Sequence, residues 1–187
     1  EGKVTGREKT FNINEATQYE IGDALPDVTG GFRTSFRWKN FDFMLAAAYQ
    51  IGGRQWDGNS ANVYSPGRAG FTASQDLVGN TWTPEHTNAK FPKLMFNGTW
   101  NFVGSNCDYL YRDASYFSLK TINVGYTLPK RWTSKICIES LRVFFAADNL
   151  YFTSAHTGFD PRTAYAGQNA FGFPQAKTFT FGITMNL

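Results

Sequence analysis

The sequence predicts an all-β chain of long antiparallel strands, a segment of an up-and-down transmembrane β-barrel, and three observations carry that prediction. Apolar and polar residues alternate with a period of two over stretches of about ten residues, whereas strands of globular sheets run nearer five or six. Aromatic residues make up 17% of the 187 and glycine occupies 18 positions, a mix suited to strands and turns rather than helices. Short connections alternate with long loops, as in a barrel that carries its turns at one end and its loops at the other.

Composition also excludes some classes. No apolar run reaches the ~18 residues of a transmembrane helix, while a barrel strand, apolar only at alternate positions, leaves a chain polar on average. The net charge is +3 with Lys and Arg scattered, which provides no stripe for nucleic acid. With no initiating Met, basic n-region or apolar h-region, the sequence is expected to begin inside a longer chain.

Glu1 to Asp23 is polar and alternates only locally, at Thr10–Ile13 and Tyr19–Ile21, so it is read as extended loop or an irregular strand. Turn signals at Leu25-Pro26-Asp27 and Gly30-Gly31 lead into a first strand, where Phe32, Thr34, Phe36 and Trp38 alternate with Arg33, Ser35, Arg37 and Lys39. Lys39-Asn40 makes a tight turn into a second strand, with Phe41, Phe43, Leu45, Ala47, Tyr49 and Ile51 on one face. From Gly52 to Ala114 regular patterning disappears. Loops of that length are functional or disordered, and this one is too aromatic for disorder, so it is expected to fold, with a short hairpin near Phe96–Phe102.

Strand returns at Tyr116–Leu128, where the apolar parity switches near Lys120–Thr121 and so predicts a β-bulge. Pro129 closes it, Lys130–Ser140 is a short connection, and Leu141–Tyr151 is a strand of less clean alternation. A second long loop, Phe152–Ala176, precedes the terminal strand. There Phe179, Phe181, Ile183, Met185 and Leu187 share one face while Thr178, Thr180, Gly182, Thr184 and Asn186 share the other. The polar faces suit a barrel lumen or the solvated side of a sandwich equally.

Four stretches together resemble one family: Ile21–Phe32 (IGDALPDVTGGF), Asp113–Pro129 (DASYFSLKTINVGYTLP), Leu141–Arg162 (LRVFFAADNLYFTSAHTGFDPR) and Phe171–Leu187 (FGFPQAKTFTFGITMNL). In order, spacing and wording they are similar to the C-terminal end of SusC/RagA-type TonB-dependent outer-membrane transporters of Bacteroidetes. The resemblance spans nearly the whole chain. It implies a 22-stranded barrel, of which residues 1–187 supply about five C-terminal strands and two long extracellular loops. It further implies nutrient uptake in the bacterial outer membrane, import of oligosaccharides or peptides, powered through TonB and assisted by a SusD-like surface lipoprotein. The plug domain and TonB box of that family are not found in this sequence. Three positions depart from the family pattern: Leu187 stands where Phe is usual, Arg162 where an acidic residue commonly follows Asp160-Pro161, and Ser118 where Arg is frequent.

No catalytic constellation is visible, and no enzyme, cofactor or metal is expected. His86 and His156 lie outside any metal or nucleophile motif, and Asp108, Asp113, Asp148 and Asp160, although carboxylates of the kind glycosidases pair, are explained as well by turn chemistry. The candidate substrate contacts are Trp56, Tyr64, Trp82, Trp100, Tyr109 and Tyr111, whose rings can stack on sugars or on peptide side chains. Packing of the loop on itself or on a partner accounts for the same residues. The apolar row Phe179, Phe181, Ile183, Met185 and Leu187 is expected to meet lipid, and Trp38, Phe41 and Trp132 to join an aromatic girdle beside the short turns. Arg33, Arg37 and Lys39 then face the lumen as solvated charge or meet an acidic plug surface.

Two readings compete with the transporter. A soluble β-sandwich glycan-binding module would bury the apolar row of the terminal strand against a second sheet of this same chain. A structural or adhesive surface protein would place the function in the loops without a channel.

The topology implied by the resemblance puts the C-terminus in the periplasm, Cys107 near the outer rim and Cys137 near the inner one. A strand of about 13 residues separates them by roughly 40 Å, against the ~7 Å between Cα atoms that a disulfide tolerates. The two are therefore expected to remain unbonded to each other, so peptide mapping without reductant should recover no Cys107–Cys137 cross-link.

Overall fold

The computed structural model describes residues 14–64, 73–94, 108–163, 168–169 and 173–186. Its strands, in chain order, are β1 (Val28–Trp38), β2 (Phe41–Ile51), β3 (Arg54–Asp57), β4 (Tyr111–Asp113), β5 (Tyr116–Thr127), β6 (Ser140–Ser154), β7 (Gln168–Asn169) and β8 (Thr178–Asn186). Two short helices, α1 (Gly58–Val63) and α2 (Lys130–Thr133), complete the regular elements with a few 3-10 turns. None of the described helices is long and apolar enough to cross a membrane.

The chain divides into two compact units, one drawn from residues 1–22 and 60–110, the other from 23–59 and 111–187. The second unit holds a five-stranded antiparallel meander in the order β1-β2-β5-β6-β8 and a small three-stranded sheet in the order β4-β3-β7. Register makes the meander two-faced. Phe36, Phe43, Val124, Phe145 and Phe181 stand opposite one another across all five strands, as do Trp38, Phe41, Tyr126, Val143 and Ile183. Between these rows, on the other face, lie Arg37, Asp42, Gly125, Phe144 and Gly182, and beyond the first row Ser35, Met44, Asn123, Ala146 and Thr180. Directly opposed side chains on one face are the unit of sheet stabilisation, so each apolar row reinforces the register that forms it.

Nothing in the described chain covers the apolar face. Phe179, Phe181, Ile183 and Met185 are 61%, 73%, 61% and 51% exposed, which removes the soluble sandwich. Leu187 lies outside the described residues. In the middle of the face only small side chains vanish: Ala47 and Ala147 are buried beneath larger neighbours.

The predicted bulge is present. Leu119 and Thr121 pair with Ala47 and Ala46, leaving Lys120 over, so that Thr121 turns to the polar face and Ile122 to the apolar one. Facing it on β6, Asp148 pairs with Thr121 and Tyr151 with Leu119, so Asn149 and Leu150 oppose Lys120 alone. Asn149 takes a left-handed backbone (φ 53), a conformation that Asn tolerates better than most residues. The alternation in β6 reads poorly because Phe144 and Ala146, in register with Gly125 and Asn123, stand on the polar face. Lys39, also at positive φ (53), makes the two-residue turn between β1 and β2.

A clasp on the polar face spans three strands. Arg142 on β6 reaches across β5 to Asp42 on β2, donating from Nε to Oδ1 at 2.9 Å and from Nη2 to Oδ2, with a further bond from Nη2 to Asn123 Oδ1 at 3.1 Å. It passes over Gly125, where an added Cβ would fall on both the guanidinium and the carboxylate. At Gly182 on β8 the absent side chain likewise makes room, here for the Phe144 ring.

Several expectations need correction. Lys130–Ser140 is not a bare connection but α2 followed by a 3-10 turn, Ser134–Ile136. The region 52–114 is not without regular structure: it holds β3, α1, β4 and two 3-10 turns, because its ends add strands beside the meander. The loop 152–176 begins later than expected, since β6 continues to Ser154, and it contributes β7. Thr10–Ile13 and the hairpin near Phe96–Phe102 lie outside the described residues. Cys137 is an exposed free thiol at a left-handed turn position, and Cys107 too lies outside the described residues.

Gly125→Ala is expected to break the Asp42–Arg142 clasp and to lower stability by about 1–3 kcal/mol, the scale of hydrogen bonds to charged groups. Denaturant unfolding of the full-length protein, compared with Asp42→Asn, measures it, and the two changes should be far from additive.

Candidate functional site

Trp56 and Tyr111 come together. Gly52 and Gly53, at φ 79 and 80, turn the chain out of β2 into β3, and an added Cβ at Gly52 would meet the Asp27 carboxylate. Backbone bonds from Arg54 N to Asp23 O (2.8 Å) and from Ala114 N to Gly53 O (3.0 Å) hold both arms of the small sheet. Trp56 is then directly opposite Tyr111, so both half-buried rings occupy one face of that sheet. The opposite face carries Gln55 and Arg112 in register, and Arg112 lies 3.9 Å from the buried Asp57.

Tyr64 and Tyr109 meet in the other unit, where they enclose a buried ring. Phe91, only 3% exposed, lies 5.1 Å from Tyr64 and 5.9 Å from Tyr109 between ring centroids. Tyr64 also donates to Asp76 Oδ2 at 3.1 Å. These two tyrosines serve as core beside buried Leu77 and Leu110, the packing role weighed against ligand contact from the sequence. Trp82 is more open, at 37% exposure, with its backbone N–H donating to Phe91 O at 2.8 Å. Trp100 lies outside the described residues.

Several acidic residues make turns. Ser115 N donates to Asp113 Oδ1 at 2.8 Å and Arg162 N to Asp160 Oδ1 at 3.0 Å, each two residues on in an Asx-type turn. Asp148 instead accepts from Thr121 Oγ1 at 2.8 Å beside the bulge, and Asp108 accepts from the Tyr19 hydroxyl. Among the described residues no three His, Cys, Asp or Glu side chains gather to hold a metal.

One cluster was not foreseen. Arg162, its side chain 7% exposed, grips Asp160 with both arms of its guanidinium, Nε to Oδ1 at 2.9 Å and Nη2 to Oδ2 at 2.7 Å. Its third nitrogen, Nη1, donates to Oγ of fully buried Ser118 on β5 at 3.0 Å, and the guanidinium lies 3.8 Å from the centroid of the Phe152 ring. Ser154 Oγ donates to the carbonyls of His156 and Phe159 (2.8 and 2.7 Å), so the start of the loop is stitched to the end of β6.

Comparison with known proteins places this geometry. No family model matches the chain. TonB-dependent receptor P3 of Formosa agariphila is 32% identical over 92% of this chain, which corresponds to 18% of the relative. TonB-dependent receptor SusC of Bacteroides thetaiotaomicron is 24% identical over 99% of this chain and 17% of its own length. The chain thus matches one segment of TonB-dependent receptors, SusC among them. It therefore spans less than a fifth of the curated relatives it matches, 18% and 17% for these two. Among solved structures, the RagAB peptide importer in its open-open state superposes with a TM-score of 0.76 at 24% identity, over 92% of this chain and 19% of that one. That likeness shows the fold. The relatives are named as receptors, importers or transporters and none as an enzyme, in agreement with the sequence.

Within the SusC/RagA pattern the Arg162 cluster acquires a meaning. Ser118 and Arg162 are two of the positions at which the sequence departs from the family, and each departure by itself looks incidental. In space they touch. The resemblance implies an arginine at the strand position and an acid at the loop position; in this chain the strand carries a small hydroxyl and the guanidinium that meets it comes from the loop. Sequence inspection could have found this only by asking whether a lost and a gained arginine replace each other.

Removing the arginine leaves the Asp160 carboxylate largely buried and without its partner, a cost of about 3 kcal/mol or more. Arg162→Ala in the full-length transporter is expected to increase proteolytic cleavage within 155–163 markedly, and Ser118→Arg in that background to restore part of the protection.

Proposed function

We propose that the five-stranded sheet is a sector of an outer-membrane barrel, the C-terminal part of its barrel domain, in a nutrient importer of the TonB-dependent class. On this reading residues 1–187 belong wholly to the barrel, of 22 strands in the family pattern, and the plug and TonB box are supplied by the rest of the protein. The substrate is an oligosaccharide or a peptide, delivered with a SusD-like lipoprotein at the extracellular face, and uptake is driven through the TonB complex.

The observation that carries this reading is the uncovered apolar face built from rows in register across five strands. β2 has 11 residues; at about 3.3 Å each and a tilt of about 40° they rise roughly 28 Å, close to the ~25 Å apolar band of an outer-membrane barrel. Phe179, Phe181, Ile183, Met185 and Leu187 then face lipid, and the row of Thr178, Thr180 and Thr184 faces the lumen. In hydrocarbon every backbone polar group must be paired, so the outer edges of β1 and β8 are assigned to pairing with further strands of the same barrel.

Trp56 with Tyr111 supplies a paired aromatic surface on the small sheet for contact with substrate, and Trp82, in the other unit, a separate open one. Tyr64 and Tyr109 offer only their outer edges, since Phe91 occupies the space between them. Trp100 completes the set of proposed contacts.

The face assignment has a direct test. Phe181→Arg in the full-length protein should destabilise the barrel in phospholipid vesicles by about 2–4 kcal/mol, whereas Thr180→Arg, one residue away on the other face, should cost under about 1 kcal/mol. Equal losses from the two, measured by reversible denaturant unfolding, would remove the lipid-facing assignment.

A further inference from the structure

At the short-turn end of the meander the side chains change character in a fixed order. The row Phe36–Phe43–Val124–Phe145–Phe181 is followed, one apolar step nearer the turn, by Trp38–Phe41–Tyr126–Val143–Ile183. In that second row the Phe41 and Tyr126 ring centroids are 4.6 Å apart, and Trp38 is 57% exposed. Cations come next. Lys39 in the turn sets its Nζ 5.1 Å from the centroid of the Trp38 ring. Lys130, Arg131 and Lys135 are exposed on the helical connection that also carries Trp132, 59% exposed.

The two turns form one rim. Thr127 N donates to Asn40 O at 2.8 Å and Asn40 Nδ2 to Thr127 O at 2.7 Å, and an open cup of about 530 Å³ between them is lined by Lys39, Phe41 and Lys130 together with Arg37 and Asp42 of the polar face. Of the acids nearby, Asp42 is already bound by Arg142, and Glu139 stands alone against four cations. Lys39, Lys130, Arg131 and Lys135 form no salt bridge among the described residues. At the opposite end of β1, by contrast, Asp23 and Asp27 precede the strand, so the cation excess belongs to one rim.

Apolar, then aromatic, then cationic, in successive steps of a few ångströms, is the order of one lipid leaflet read from acyl chain through glycerol ester to phosphate. We propose that this rim is a binding site for anionic phospholipid of the phosphatidylglycerol type, its phosphate held by Lys39, Lys130 and the cations of the α2 connection, with Trp38 and Trp132 at the depth of the glycerol esters. Charge complementarity selects this occupant. A zwitterionic headgroup brings its own ammonium and gains little from four additional cations, whereas a net negative headgroup gains from each of them. A soluble acidic partner would use the cations but leave the exposed aromatic row without a role.

The proposal rests on the reading that the sheet spans a membrane. The full-length transporter, stripped of lipid in detergent, can be titrated separately with phosphatidylglycerol and with phosphatidylcholine and the retained lipid counted by native mass spectrometry. Phosphatidylglycerol should be retained in preference, and the substitutions Lys39→Gln, Lys130→Gln, Arg131→Gln and Lys135→Gln should weaken it by about five-fold for each charge removed, with phosphatidylcholine unaffected. Equal retention of the two lipids by the parent, or undiminished preference in the quadruple variant, overturns the proposal. If the quadruple variant does not form a heat-modifiable barrel, the pair Arg131→Gln and Lys135→Gln, both exposed, supplies the same readout. Failure of the parent to insert into phosphatidylcholine vesicles would instead sink the membrane-spanning reading.

Discussion

The register of the five-stranded meander is the constraint on which the rest of this structure depends. Because side chains alternate with a period of two, a slip of one residue in any strand would exchange Phe36 for Ser35, or Phe181 for Thr180, and turn an apolar row to the polar side. The chain holds its register with several independent devices. A two-residue turn at Lys39-Asn40 sets β1 against β2, the paired irregularities at Lys120 and Asn149 set β2, β5 and β6, and the Arg142–Asp42 clasp crosses three strands at once. Gly125 belongs to that clasp as much as the charged residues do, since a side chain there would occupy the space through which the guanidinium passes.

The bulge does more than fix register. Were Lys120 paired regularly instead of bulged out, the apolar set Ile122, Val124 and Tyr126 and the apolar set Phe117 and Leu119 would lie on opposite faces. Opposing Lys120 with two residues of β6, Asn149 in the left-handed region among them, lets β5 alone change parity, while Ala147 and Tyr151 of β6, four residues apart, both stay on the apolar face. The apolar rows therefore stay on one face from one end of the sheet to the other.

The two ends of the sheet differ because their connections differ. At the short-turn end the chain turns back at once and places aromatic and cationic side chains in a narrow rim. At the other end it leaves the meander through Gly52-Gly53 and returns through Ala114, so two arms run side by side and pair as β3 and β4. The Arg162 cluster fastens the second loop to the wall by way of Ser118. Of the candidate aromatic residues, Trp56 and Tyr111 stand on the paired strands β3 and β4, and for Tyr64 and Tyr109 much of each ring is spent on packing around Phe91.

What the sequence determined by itself was local and periodic: five long two-faced strands, the tight turn at Lys39-Asn40, the parity switch at Lys120, the residues of each face, and, through four phrases, the family. These follow from neighbours in the chain, since alternation and turn chemistry need only adjacent positions to be read. What the tertiary structure decided was every contact between distant positions. Arg142 and Asp42 are 100 residues apart and Arg162 and Ser118 are 44 apart; no period links them, and the two family departures could be seen as one exchange only when strand and loop were brought together. The exposure of the terminal apolar row was also a tertiary matter. The same alternation would be written for a strand buried in a sandwich, and only the absence of a covering layer over Phe179, Phe181 and Ile183 separates the two.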